Sequence, residues 1–120
     1  MKPLLLSFAL CLPTFAMAEG WTVTELSTLP DRAVCMERAT STFKLFIQTY
    51  GGGNIVAGKG TDDWTVAGYD LQGTEIDALI ICPYEGGVVE PFLTVFNSEA
   101  NDNGRQLVAK RLKALWDQRG

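Results

Sequence analysis

Apolar residues recur at three- and four-residue spacing through Cys35, Ala39, Phe43, Phe46 or Ile47, and Tyr50. That period predicts an amphipathic helix over about residues 30–50, with Cys35 on its apolar stripe. Pro30 suits a first helical turn, Thr28 or Leu29 stands where a cap belongs, and Asp31 favours the positive end of the helix dipole. Gly51-Gly52-Gly53 ends the helix, because glycine takes the left-handed conformation cheaply. A second stripe, Val108, Leu112, Leu115 and Trp116, predicts a helix over about 103–118, capped from Asn101-Asp102-Asn103. Its other faces carry Lys110, Arg111 and Lys113 and read as a solvated surface.

Between the helices the period falls to two. Strands are expected at about 63–71, 75–82 and 88–97, with a short edge strand near 54–57 and a strand or ordered arm over 21–29. Leu71-Gln72-Gly73-Thr74 and Glu85-Gly86-Gly87-Val88 read as two-residue hairpin turns. Pro91 cannot donate to a ladder, so the third strand is expected to be an edge or bulged there. The order α-β-β-β-α predicts a small single α+β domain, an antiparallel meander sheet packed on two helices.

Turn geometry sorts the strand residues into two faces. The first turn places Tyr69 opposite Ile76 and Ala67 opposite Ala78. The second is taken to place Cys82 opposite Val89 and Ala78 opposite Leu93. One face then carries Thr65, Ala67, Tyr69, Ile76, Ala78, Ile80, Cys82, Val89, Leu93 and Val95, and is expected to be the core. The other carries Trp64, Val66, Leu79, Ile81, Val88, Phe92 and Phe96, with Asp70, Glu75, Asp77 and Glu90 towards one end. Of these, Trp64, Val66, Leu79, Ile81, Phe92 and Phe96 are the candidate binding residues. Two helices cover one face of such a sheet; the second face is covered either by the 21–29 arm and the glycine-rich connector or by another chain, and another chain, a different protein or a second copy, is the favoured expectation.

The N-terminus changes the setting. Lys2, the apolar run Leu4–Phe15 and the small-x-small triplet Ala16-Met17-Ala18 read as a signal peptide, residues 1–18, that leaves residues 19–120 as the domain. Leu10 precedes Cys11 where a lipid-anchoring site would want a small residue, so no membrane anchor is expected after cleavage. The chain is expected in the periplasm or the medium. Two cysteines survive, Cys35 and Cys82, one on the helix stripe and one on the core face. In an oxidising compartment they predict a structural disulfide. Its closure of about 46 intervening residues is worth roughly 3–4 kcal/mol.

Composition narrows the chemistry. Losing Lys2 from ten basic residues leaves nine against fourteen acidic, a net charge of −5. That is the wrong sign for nucleic acid or an anionic membrane. The chain has no histidine, which removes the commonest general base and the commonest metal ligand. Gly53–Gly60 approaches a phosphate-binding loop but has Gly60 where a hydroxyl is needed, and it follows a helix rather than preceding one. Glu99–Gly104 resembles half a calcium loop, but Lys110 falls where a bidentate glutamate belongs. Asp70 and Glu75 could approach as a carboxylate pair, yet nothing marks a cleft around them. No catalytic residue, metal or cofactor is expected; a small-ligand or ion-binding module is the alternative and a carboxylate enzyme the third reading.

Intact-mass analysis of protein recovered after export should show a chain beginning at Glu19. Retention of residues 1–18 would refute the leader assignment.

Overall fold

The computed structural model describes residues 20–58, 64–97 and 102–118. The leader and its cleavage site lie outside the described residues, as do residues 98–101 ahead of the second helix. Along the chain come β1 (Gly20–Glu25), α1 (Arg32–Tyr50), β2 (Ile55–Ala57), β3 (Thr65–Leu71), β4 (Ile76–Ile81), β5 (Tyr84–Glu85), β6 (Val88–Val89), β7 (Phe92–Asn97) and α2 (Asp102–Gln118). The fold is the expected α+β arrangement, enlarged at both edges. Five antiparallel strands lie in the order β1-β7-β4-β3-β2, and β5-β6 form a separate small hairpin.

Asp31, not Thr28 or Leu29, caps α1: its side chain accepts from the Val34 N–H at 2.8 Å. Leu29 is occupied elsewhere, exchanging two backbone hydrogen bonds with Val89. Gly51 closes the other end at φ 91°, its N–H donating to the Ile47 carbonyl. β7 is an interior strand between β1 and β4, so the edge expected at Pro91 is absent. Pro91 instead sits in the break between β6 and β7, where it needs no donor and accepts from the Leu26 N–H.

The strand registers explain which side chains face inward. Gly86 and Gly87, both at positive φ, close a two-residue turn that pairs Glu85 with Val88. The same register carries Ala78 opposite Val95 and Ile80 opposite Leu93. This differs by two residues from the expected Ala78–Leu93 pairing. An even shift leaves every side chain on its face, and Ile76, Ala78, Ile80, Cys82, Val89, Leu93 and Val95 are all buried.

β3 is shifted by one, and the outcome reverses. Ala67 pairs with Leu79, Val66 with Ile80 and Gly68 with Ala78. The first turn is a four-residue loop between Leu71 and Ile76, not the expected two-residue turn. Tyr69 and Asp70 together oppose Asp77 in a β-bulge. Asp70 takes φ 54°, a left-handed value that aspartate tolerates better than most residues. Its N–H donates to Asp77 Oδ1 at 3.0 Å. Val66 therefore turns inward and Leu71, beyond the bulge, stays inward, both fully buried, while Thr65, Ala67 and Tyr69 turn outward.

Both helices lie on one side of the sheet. α1 covers β2 and β3, and α2 covers β1 and β7. Phe43 and Phe46 of α1, Val108, Leu112 and Trp116 of α2, and the inward strand residues form one buried cluster. The Cys35–Cys82 disulfide ties α1 to the end of β4, with 6.1 Å between Cα atoms and both residues fully buried. Trp116 donates its indole N–H to Ser27 Oγ at 2.9 Å. Its backbone carbonyl accepts from Arg38 Nη2 at 2.6 Å, a cation placed at the negative end of α2.

A Cβ on Gly68 would stand 2.6 Å from the Phe43 ring. Gly68→Val should cost about 1–3 kcal/mol through overpacking, seen as a lowered urea midpoint. An unchanged or raised midpoint would mean that residue 68 faces outward, as the two-residue turn implies.

Candidate functional site

With both helices on one side, the opposite face of the sheet has no described element on it. Its side chains follow from the registers. β1 contributes Trp21, Val23 and Glu25; β7 contributes Phe96, Thr94 and Phe92 opposite them. β4 adds Asp77, Leu79 and Ile81. β3 adds Tyr69, Ala67 and Thr65, and β2 adds Val56 opposite Ala67. Most of this surface is apolar, and several large residues are in water: Trp21 is 63 % exposed, Val23 64 % and Tyr69 41 %. Leu79, Ile81, Phe92 and Phe96 are half-buried by their neighbours.

One end of the face is concave. Trp21, Phe96, Tyr69, Leu79, Thr94 and Asp77 line a shallow hollow of about 200 Å³. The Trp21 and Phe96 rings meet at 4.5 Å between centroids, tilted by 42°. Asp77 stands between Phe96 and the bulge, its position fixed by the Asp70 N–H.

Charge is divided between the layers. Every described cation lies on a helix: Arg32, Arg38 and Lys44 on α1, and Arg105, Lys110, Arg111 and Lys113 on α2. The strands and their turns carry Glu25, Asp70, Glu75, Asp77, Glu85 and Glu90, with no described lysine or arginine. The open face is thus apolar with an acidic border.

Of the candidate binding residues, Leu79, Ile81, Phe92 and Phe96 share this face. Trp64 and Val66 do not, because the one-residue shift of β3 carries them to the helix side. Val66 is buried in the core. Trp64 lies against Arg32, whose guanidinium carbon is 4.3 Å from the Trp64 ring centroid and 4.3 Å from that of Tyr84. Arg32 Nε also donates to the Cys82 carbonyl at 3.0 Å, so this clamp encloses the disulfide end of the sheet. The sequence reading missed Trp21, Val23, Tyr69 and Val56 as members of the face. Its one usable signal was the apolar alternation Trp21-Thr22-Val23, which suits a strand with one side dry and one wet.

The remaining motifs do not assemble into chemistry. Of the phosphate-loop resemblance, Lys59 and Gly60 lie outside the described residues, and Ile55–Ala57 form the edge strand β2. Of the calcium-like segment, Asp102 is described, and its carboxylate accepts from Arg105 and Gln106 within α2. A second hollow of about 470 Å³ runs past Glu25, Glu85 and Glu90 beside Pro83 and Pro91. Among the described residues no group of acidic or cysteine side chains could hold a metal ion, and no helix is long and apolar enough to cross a membrane. Neither a known protein family, nor a curated protein, nor a solved structure matches the chain.

Trp64→Ala should lower stability by about 0.5–1 kcal/mol through loss of the Arg32 stack. The ring resonances of Trp21 and Phe96 should stay in place. Movement of those resonances would put Trp64 on the open face.

Proposed function

We propose that this is an exported, non-enzymatic binding domain that holds a protein partner against its open sheet face. The observation that carries the reading is the one-sided placement of the helices. A sheet buried on one face normally alternates apolar-in with polar-out. Here the outward positions of β1, β7 and β4 include Trp21, Val23, Phe96, Phe92, Leu79 and Ile81. A contiguous apolar patch of this kind, rimmed by polar groups, is the usual signature of an interface, and exposed aromatic residues are its usual anchors. The acidic border opposes a face-to-face pair of identical copies, because the described residues of each face bring carboxylates and no cation to the contact. It favours a partner that is basic where it meets the rim. The leader and the buried disulfide support an oxidising location, periplasmic or secreted.

Benzoylphenylalanine introduced at Val23 or Leu79 should photo-crosslink to a discrete second protein in the producing cells. The same group at Lys44 or Leu107, exposed on the helices, should not. Phe92→Asp should weaken the adduct without unfolding the domain. Absence of any adduct from the face positions would overturn the reading. An adduct at twice the monomer mass would overturn the basic partner in favour of self-association.

A further inference from the structure

We propose that the hollow between Trp21, Phe96 and Tyr69 receives a lysine or arginine side chain of the partner polypeptide, with Asp77 as its counter-ion. This rests on the reading of the open face as an interface and names what that face selects. The faces of aromatic rings attract cations within about 6 Å of their centroids, and the attraction grows as water is excluded. Three such rings surround the hollow here, and one carboxylate stands among them. Asp77 Oδ1 accepts the Asp70 N–H, which fixes the carboxylate's orientation and leaves acceptor capacity for a ligand. Its neighbours across the strands are Phe96 on one side and the Tyr69–Asp70 bulge on the other, so no described cation of the sheet stands beside it. A hollow of about 200 Å³ admits an ammonium or guanidinium with its last methylenes and little more.

The surroundings decide the source of that cation. The hollow opens onto the apolar stretch Val23, Leu79 and Ile81 rather than closing over a small molecule. A free amine would leave that stretch wet, whereas a polypeptide with a basic residue beside apolar ones covers both. A second copy carries its described cations on its helices and none on its described strands, so its sheet face brings no described cation to the hollow.

The test uses a synthetic peptide of alternating leucine and lysine, a norleucine-for-lysine version of it, and n-butylammonium, each titrated into the whole domain. The leucine–lysine peptide should shift the Trp21 indole N–H and the Tyr69 and Phe96 ring signals. Asp77→Asn keeps an oxygen to accept the Asp70 N–H, and should weaken binding about tenfold, with the Trp21→Ala variant similar. Glu25→Gln removes the same charge from the same face away from the hollow, and should weaken it less than about threefold, as expected of rim charge. Equal effects of the two acidic substitutions would show diffuse attraction and overturn the proposal. Equal binding of the norleucine peptide would also overturn it, while leaving the apolar interface standing. Saturation by n-butylammonium at the same concentration as the peptide would replace the polypeptide with a free amine. If neither peptide binds, the cation site falls, and the photo-crosslinks at Val23 and Leu79 decide separately whether the interface reading falls with it.

Discussion

The two-for-one bulge of Tyr69 and Asp70 against Asp77 governs the structure. It rotates β3 by one residue relative to the rest of the sheet, and a one-residue rotation exchanges every side chain between faces. Val66 enters the core because of it, while Leu71, beyond the bulge, faces inward in either register. Gly68 comes to face α1, where the absence of a side chain lets Phe43 press against the strand. Had β3 kept the register of a tight two-residue turn, Ala67 and Tyr69 would point at the helix and Val66 would be in water. The bulge is affordable because aspartate tolerates the left-handed conformation and because Asp77 receives the displaced N–H.

The two layers of the domain differ in what their charges do. On the helical side, arginines act as fasteners. Arg38 lies over the Trp116 ring and bonds its carbonyl, joining α1 to the end of α2. Arg111 stacks on Tyr50 and bonds Gln72, joining α2 to the end of α1 and to the turn after β3. Arg32 reaches between two rings above the disulfide. Their long stems bury apolar surface while the heads satisfy backbone or ring acceptors. The sheet side has carboxylates and no described cation to oppose them. Electrostatically the molecule is two-sided among its described residues.

Much of this architecture is legible in the residues. The helical periods, the glycine stop at residue 51 and the Gly86-Gly87 hairpin each rest on strong local chemistry. The Cys35–Cys82 pairing followed from placing both cysteines on core-facing positions. Side-chain sorting on β4 and β7 survived an error of register because the error was even. On β3 it did not, because no local pattern announces a bulge. Tyr69 and Asp70 look like ordinary strand residues, and only the burial demanded by Leu71 and Val66 distinguishes the two registers. Trp64 was misplaced for the same reason. The open face itself was foreseeable from helix lengths, but the membership of Trp21 and Val23 was not, since a terminal segment gives no clue to which edge it joins.

The placement of β1 also sets the order in which the molecule can be completed. The first strand of the domain is hydrogen-bonded to the last, residues 20–25 with residues 92–97, and everything between them must be present before that edge closes. The disulfide likewise links the start of α1 to the end of β4. Topologies dominated by such distant pairings fold slowly, because the entropy of closing the chain is lost before the contacts that compensate it are made. β1 therefore has no partner strand until the chain is complete to residue 97, whereas α1 and the β2–β3 and β3–β4 hairpins need only residues close to them in sequence.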